Sequence, residues 1–227
     1  MRATSEDEMA ETEIAKQAGG GPVEPPPEAP NSRERLDAML EDMLDRPEHR
    51  DEIEEEIEGT FTQRKTVMCL DMSGFSRTTK DRGIVAFLLM IHQMQLLAVP
   101  VVERHNGVVI KKEADNLFCL FDEVLDAVKA SREIATSLKT ANVVLPKDME
   151  LYVSIGIGYG PILNIENEDV WGNEVNLSSK LGEDIAELGE ILLTTEARAQ
   201  VDDPSLNFIE RNISISGLDV TFYQVSM

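Results

Sequence analysis

Apolar residues recur at Leu36, Met39, Leu40, Met43 and Leu44, the i, i+3, i+4, i+7, i+8 stripe of an amphipathic helix, with Ser32 placed to cap it. Pro47 ends that helix or starts the next, and an acidic helical segment over 47–58 puts Ile53 and Ile57 on one face. Both stripes need cover, from the chain's own domain or from a second copy of it. From Thr66 the pattern changes. Residues 66–70 form a short β-compatible run ending at Asp71, Ser73-Gly74 marks a turn, and 84–103 has the length and period of a helix. After Asn106-Gly107, two apolar runs at 108–111 and 117–121 flank the polar residues 112–116, which reads as a hairpin, and 123–138 reads as a helix. Strands are predicted over 151–157, 191–194 and 220–225, and a helix opened by Gly172-Asn173 over 171–188. Strands interleaved with helices, including a hairpin, predict an α+β sandwich of the split-βαβ kind, not a doubly wound parallel sheet.

Composition divides the chain of 227 residues further. Five of its ten prolines fall between Pro22 and Pro30, beside Gly19-Gly20-Gly21, so residues 1–31 are expected to be a disordered leader, 32–60 an acidic helical segment and 61–227 one domain. Asp and Glu number 43 against 21 Lys and Arg, a net charge of −22, and the first sixty residues alone hold 19 acidic and 6 basic side chains. Such a charge repels phosphodiester backbones and anionic lipid, so neither a nucleic-acid nor a membrane partner is expected. The N-terminus has no basic or apolar signal region, and the apolar stretch 84–102 is interrupted by His92, Gln93, Gln95 and Pro100, which argues against a bilayer span and for a cytoplasmic protein. Cys69 and Cys119 sit in apolar runs outside any CxxC spacing and are expected as buried, reduced thiols. His49, His92 and His105 are scattered, as surface or helix-face residues rather than zinc ligands. Phe75, Phe118 and Phe121 are expected in the core, Met90 and Met94 in the core or a dimer interface, and Trp171 as a packing residue. Gly156-Ile157-Gly158-Tyr159-Gly160 reads as a glycine-rich strand end, not a phosphate cradle.

An aspartate closing a buried strand before a turn and a helix presents its carboxylate beside free backbone N–H groups, and Asp71-Met72-Ser73-Gly74-Phe75 fits that arrangement. Asp115 begins the second hairpin strand, which in a split-βαβ sheet lies antiparallel to the first strand and brings the two carboxylates together. Two hard oxygen donors near free amides suit Mg²⁺ and a polyphosphate. Strand-end aspartates also arise as loop caps, and composition alone leaves both readings open.

Three stretches, Asp71 to Phe75, Lys111-Lys112-Glu113-Ala114-Asp115 and Asp169-Val170-Trp171-Gly172-Asn173-Glu174-Val175-Asn176-Leu177-Ser178-Ser179-Lys180, resemble in order and spacing the class III adenylyl/guanylyl cyclase homology domain. The resemblance covers about 63–227 and implies a ferredoxin-like α+β core working as a head-to-tail homodimer with its active sites between protomers. It implies that Asp71, Asp115 and the Met72 carbonyl bind two ions, Mg²⁺ or Mn²⁺, which bridge the ATP phosphates, activate the ribose 3′-hydroxyl and neutralise the departing pyrophosphate. Ser73, Gly74 and Phe75 follow as the phosphate-side backbone. Lys111 and Asp169 match the purine-reading pair, donor to a ring nitrogen and acceptor from the exocyclic amine, a set that fits adenine; guanylyl cyclases resemble one another in a glutamate and cysteine or similar pair there. Asn176 matches the ribose-orienting residue.

The sequence departs from the family at Lys180, where a transition-state arginine is usual, so the charge stays but the two-pronged grip on phosphate is lost. Ala114 replaces the glycine before the second metal aspartate, and Ser216-Gly217-Leu218 replaces a phosphate-binding lysine. The segment between Pro161 and Asp169 is shorter than in membrane-bound mammalian members. The expectation is an adenylate cyclase making cyclic AMP from ATP. The rival is a weak or inactive nucleotide-binding or dimerising module of signal transduction, with residues 1–60 free to meet a regulatory partner.

Overall fold

Thr62–Ser73 crosses the middle of the sheet as β1, antiparallel to both neighbours. The computed structural model describes residues 29–73, 82–215 and 218–226. On one side of β1 lies the hairpin β2 (Val108–Glu113) and β3 (Asn116–Phe121); on the other lies β4 (Tyr152–Ile165). Beyond β4 come β6 (Ile191–Thr194), the parallel neighbour, then β8 (Leu218–Val225) and β7 (Phe208–Ile215), while the short β5 (Asp169–Trp171) turns back onto β4. Val67 to Leu70 are all fully buried because β1 is covered on both faces, which is why that stretch reads as continuous rather than alternating hydrophobicity.

The two faces are covered differently. On one, α3 (Ile84–Arg104) and α4 (Val124–Asn142) bury Met90, Met94, Ala98, Ile134 and Leu138 against Met68, Leu70, Met72, Leu117 and Ile155. Met90 and Met94 are thus core residues. On the other, α5 (Asn173–Lys180) continues into a π-helical turn, Leu181–Ile185, packed on β4. The helices before the sheet, α1 (Arg33–Asp45) and α2 (Arg50–Phe61), dock on their own domain: Leu36, Ile53, Ile57 and Phe61 bury against Ile165. Ser32 caps α1, its Oγ accepting from the Arg35 N–H at 3.2 Å. A last short helix, α6 (Thr195–Ala199), follows β6.

Several expectations are corrected. β1 extends four residues before and three beyond the apolar run, because Gln63, Arg64 and Lys65 pair through their backbones with Ile162, Pro161 and Gly160; Asp71 therefore lies inside the strand. The hairpin turn is only Ala114-Asp115, so Asp115 sits in the turn and not on β3. β4 runs on to Ile165, which places the glycine-rich stretch in mid-strand. The helix predicted over 171–188 starts at Asn173 and ends its π turn at Ile185, with Trp171 in β5 and 58% exposed, not packed. β5 and α6 were not anticipated. Pro100 and the polar residues do not interrupt α3, which by length and composition alone is apolar enough to cross a membrane; Ile91, Val101 and Val102 add to its core face, and Ile84, Val85, Leu88, Leu89 and Leu96 are exposed. Cys69 and Cys119 are free and buried, and burial pushes both thiols up, Cys119 to about 12. His49 and His105 lie on helix ends, paired with Glu52 at 3.0 Å and Glu133 at 2.8 Å.

Candidate active site

Asp71 occupies the α5-side face of β1 with Cys69, since alternate residues share a face. The last β1–β3 pair is Leu70↔Leu117, so Asp71 lies one step further, across from Asn116 and beside the Ala114-Asp115 turn. Burial, then the charges of Asp115 and Glu183, push the Asp71 carboxyl up to about 7, against the Met72 N–H that donates to it; Asp184 adds to the push. Asp115, Glu183 and Asp184 thus lie near enough for their charge to act on Asp71. Asn116 Oδ1 beside them is buried without a hydrogen-bond partner. An all-oxygen set with excess negative charge and an orphaned acceptor fits a hard divalent cation. Among the described residues, no group of three or more His, Cys, Asp or Glu side chains is poised around one point, so backbone and substrate oxygens would have to complete the shell. Ser73 Oγ is 2.5 Å from Ser154 Oγ. Gly74, Phe75 and Ser216 lie outside the described residues, as do 1–28 of the leader.

Ala114 has φ +51°, the left-handed region in which a Cβ is strained, so the turn keeps the shape a glycine would give at a cost of roughly 1–2 kcal/mol.

A second cluster forms between β2, β5 and α5. Lys111, Asp169 and Asn176 line a pocket of about 180 Å³ together with Phe118, Val170, Trp171, Val175 and Ser179. Lys111 bonds Glu113 at 3.0 Å, and that contact, with the charge of Asp169, holds its ammonium above its ordinary range. Phe118 was expected in the core. Its neighbours Leu117 and Cys119 face α3 and α4, and the opposite face of β3 is only partly covered, so its ring becomes a pocket wall.

The helix carrying Asn176 sits directly on β4. A Cβ at Gly156 would lie 2.0 Å from the Ser178 carbonyl oxygen, and Gly158 and Gly160 leave room for Glu174, whose buried Oε2 accepts from the Tyr159 N–H at 3.0 Å and the Thr194 hydroxyl at 2.8 Å. Burial raises the Glu174 carboxyl despite these bonds. Lys180, one turn after Asn176, bonds Asp184 at 2.7 Å and does not line the pocket. Sequence reasoning gave no role to Glu174, Glu183, Asp184 or Ser179. It also missed Arg33, whose Nη2 lies 2.8 Å from Asp169 Oδ2. The glycine spacing on β4 was the one available signal, for Glu174.

No protein-family model matches the chain. It is 27% identical over 129 residues to "Putative adenylate cyclase 3" of Rhizobium meliloti (strain 1021), a match spanning 56% of this chain and 22% of that protein, about a fifth of its length. Among solved structures, it is similar to the guanylyl cyclase Cya2 (20% identity, TM-score 0.62, 72% of this chain and 92% of that one) and to the adenylyl cyclase CyaB from P. aeruginosa (22%, 0.62, 73% and 96%). A rhodopsin-guanylyl cyclase with converted specificity, in complex with ATPαS, matches at 15% identity and TM-score 0.62 over 73% of this chain and 98% of that one. The chain carries the α+β fold of the class III adenylyl/guanylyl cyclase homology domain.

Proposed function

We propose that the protein is a class III adenylate cyclase, converting ATP to 3′,5′-cyclic AMP and pyrophosphate at sites shared by two copies of the chain. Each site takes Asp71 and Asp115 from one protomer and Lys111, Asp169, Asn176 and Lys180 from its partner. The observation that carries the reading is the pocket in which an ammonium, Lys111, and a carboxylate, Asp169, share walls with the Phe118 ring and Asn176. One donor and one acceptor at a base-sized apolar slot match N1 and the 6-amino group of adenine, and guanine presents the opposite pair. Fold neighbours of both nucleotide classes do not separate the two bases, so the preference rests on these side chains.

Lys111 donates to the ring nitrogen and Asp169 accepts from the amine, with Phe118 and Val175 excluding water. Asn176 fixes the ribose. Lys180 places positive charge near the reacting phosphorus after leaving Asp184; that exposed pair is worth at most about 1 kcal/mol, so the exchange is cheap. Two divalent ions held by Asp71, Asp115 and the Met72 carbonyl would supply activation of the 3′-hydroxyl and charge neutralisation on the leaving group.

The test is a cyclic-nucleotide assay of the purified protein with ATP and, separately, GTP, in Mg²⁺ or Mn²⁺. Cyclic AMP from the parent and none from Asp71→Ala is expected. Mixing Asp71→Ala with Asn176→Ala chains should restore one intact site per dimer. A folded dimer that cyclises neither nucleotide would overturn the proposal, and an active protein whose two variants never complement would overturn the shared site.

A further inference from the structure

Asp169 is held from the other end of the chain. Arg33 Nη2 donates to Asp169 Oδ2 at 2.8 Å across 136 sequence positions, and the second oxygen, Oδ1, accepts from the Val170 N–H at 3.0 Å. The start of the helix that carries this guanidinium is itself anchored. Asn31 Nδ2 donates to the Asn164 carbonyl at 2.9 Å, the Arg33 N–H donates to Glu166 Oε2 at 3.3 Å, and Leu36, one turn on, is buried against the Ile165 cluster. Asn164 lies near the end of β4, Glu166 in the connection to β5, which turns through positive φ at Glu166 and Asn167, and Asp169 at the start of β5. The start of α1 therefore grips the turn that presents the pocket carboxylate. Trp171, at the end of β5, lines both that pocket and a groove of about 380 Å³ walled by α1, α2 and β4, so the docked helices and the pocket share a wall.

We propose that Arg33 is a positioning residue for base recognition: it fixes the Asp169 carboxylate in the plane that meets the purine, and so makes the docked helix α1 part of the nucleotide site. The inference rests on the assignment of Asp169 as the purine acceptor. A carboxylate has about four acceptor positions. Arg33 and the Val170 N–H take one on each oxygen, leaving one on each for the exocyclic amine. Without Arg33 the carboxyl keeps only the Val170 N–H bond and its orientation loosens, and a planar guanidinium holds that orientation where a flexible ammonium holds it less well. The pair is partly shielded, with Asp169 21% and Arg33 41% exposed, so its loss should cost a modest factor and not abolish binding.

The experiment measures dissociation constants of the full chain by calorimetry for 3′-deoxy-ATP and 3′-deoxy-GTP, which lack the attacking hydroxyl and cannot be cyclised. Arg33→Ala is expected to weaken 3′-deoxy-ATP about three- to fivefold while leaving 3′-deoxy-GTP within about twofold, because Asp169 makes no bond to guanine that orientation could improve. Arg33→Lys should recover part of the loss. Arg35→Ala, on the same helix as Arg33, breaks the pair that Arg35 makes with Glu56 of α2 and should change neither constant. Adding Arg33→Ala to Asp169→Asn should cost nothing further, since the two act through one contact. In turnover, KM for ATP should rise with kcat within about twofold. Should Arg33→Ala fail to fold, Arg33→Gln takes its place with the same expectations. Unchanged affinity for 3′-deoxy-ATP overturns the inference, as does an equal loss for both nucleotides; tighter binding overturns it too, by showing that the guanidinium competes with the base. If the parent protein binds neither deoxynucleotide, the cyclase reading falls and this inference with it.

Discussion

Gly156→Ala tests how α5 is placed, independently of any activity. An added Cβ would sit 2.0 Å from the Ser178 carbonyl oxygen, 2.7 Å from the Gly182 nitrogen and 2.9 Å from Leu181 Cβ, whereas ordinary contact begins at 3.4 Å. Two of these three atoms are backbone, so no rotamer change relieves the clash, and the helix must retreat by more than an ångström. That retreat loosens Leu181 from Leu192 and Phe222, and Val175 from Val67 and Ile162. Overpacking a core costs about 1–3 kcal/mol, and a backbone obstacle puts this case at the upper end, about 3 kcal/mol. For a domain of this size each kcal/mol moves Tm by roughly 2–4 °C, so a fall of about 6–12 °C is expected. Gly59→Ala is the matched control: it lies in α2 with nothing within 4 Å of the new Cβ, and alanine is the better helix former by about 1 kcal/mol, which predicts a rise of roughly 2–4 °C. Thermal melts followed by far-UV circular dichroism read both. A Gly156→Ala melt within about 2 °C of the parent, or shifts of the same sign in both variants, would refute the close backbone packing.

Three further outcomes are expected. Ala114→Gly relieves a left-handed alanine costing roughly 1–2 kcal/mol but frees the unfolded chain by roughly 0.5–1 kcal/mol, so the urea midpoint should rise by the equivalent of about 0.5 kcal/mol; a fall would mean the turn is not strained. Asp71, with its folded value raised to about 7, favours the protonated form in the native state, so its stabilising contribution is full below about pH 4 and is lost as pH rises through 7. In EDTA, denaturation at pH 5 and pH 8 should show Asp71→Asn gaining on the parent at the higher pH, and equal differences at both would count against the acidic cluster. Lys180→Arg should raise kcat about tenfold in Mg²⁺ by restoring a two-pronged phosphate grip, and an unchanged rate would remove Lys180 from the transition state.

What the sequence showed of the fold was whatever periodicity could express. Residues 191–194 were read at the bounds β6 has, because a fully buried four-residue run between polar segments leaves little choice. The ends of β1 were not legible, since Gln63, Arg64 and Lys65 join the sheet through backbone bonds that side-chain pattern does not report. Phe118 was misplaced for a related reason: alternation separates it from Leu117 and Cys119, but not whether a helix covers the face it joins. In the candidate site, Lys111, Asp169 and Asn176 were found by motif, and the structure puts them around one pocket. Arg33 carried no signal at all, because its partner is 136 positions away and an arginine opening an acidic helix looks like solvent-facing charge.

The glycines of β4 show why the candidate chemistry gathers on one face of the sheet. On the α3 and α4 side, methionine, leucine and isoleucine side chains separate helix from strand, and that thickness is the core. On the α5 side, Gly156 removes the separating layer, and at Gly158 and Gly160 the space is filled by a single acid, Glu174, bonded to the Tyr159 amide and the Thr194 hydroxyl. A helix laid this close to the backbone cannot shift without breaking those bonds, so the residues it displays beyond Glu174, Asn176 and Ser179 at the pocket and Lys180 at the helix end, are held by the strand itself. A spaced glycine run opposite a buried glutamate is thus a device for placing polar side chains in mid-strand, not a strand end.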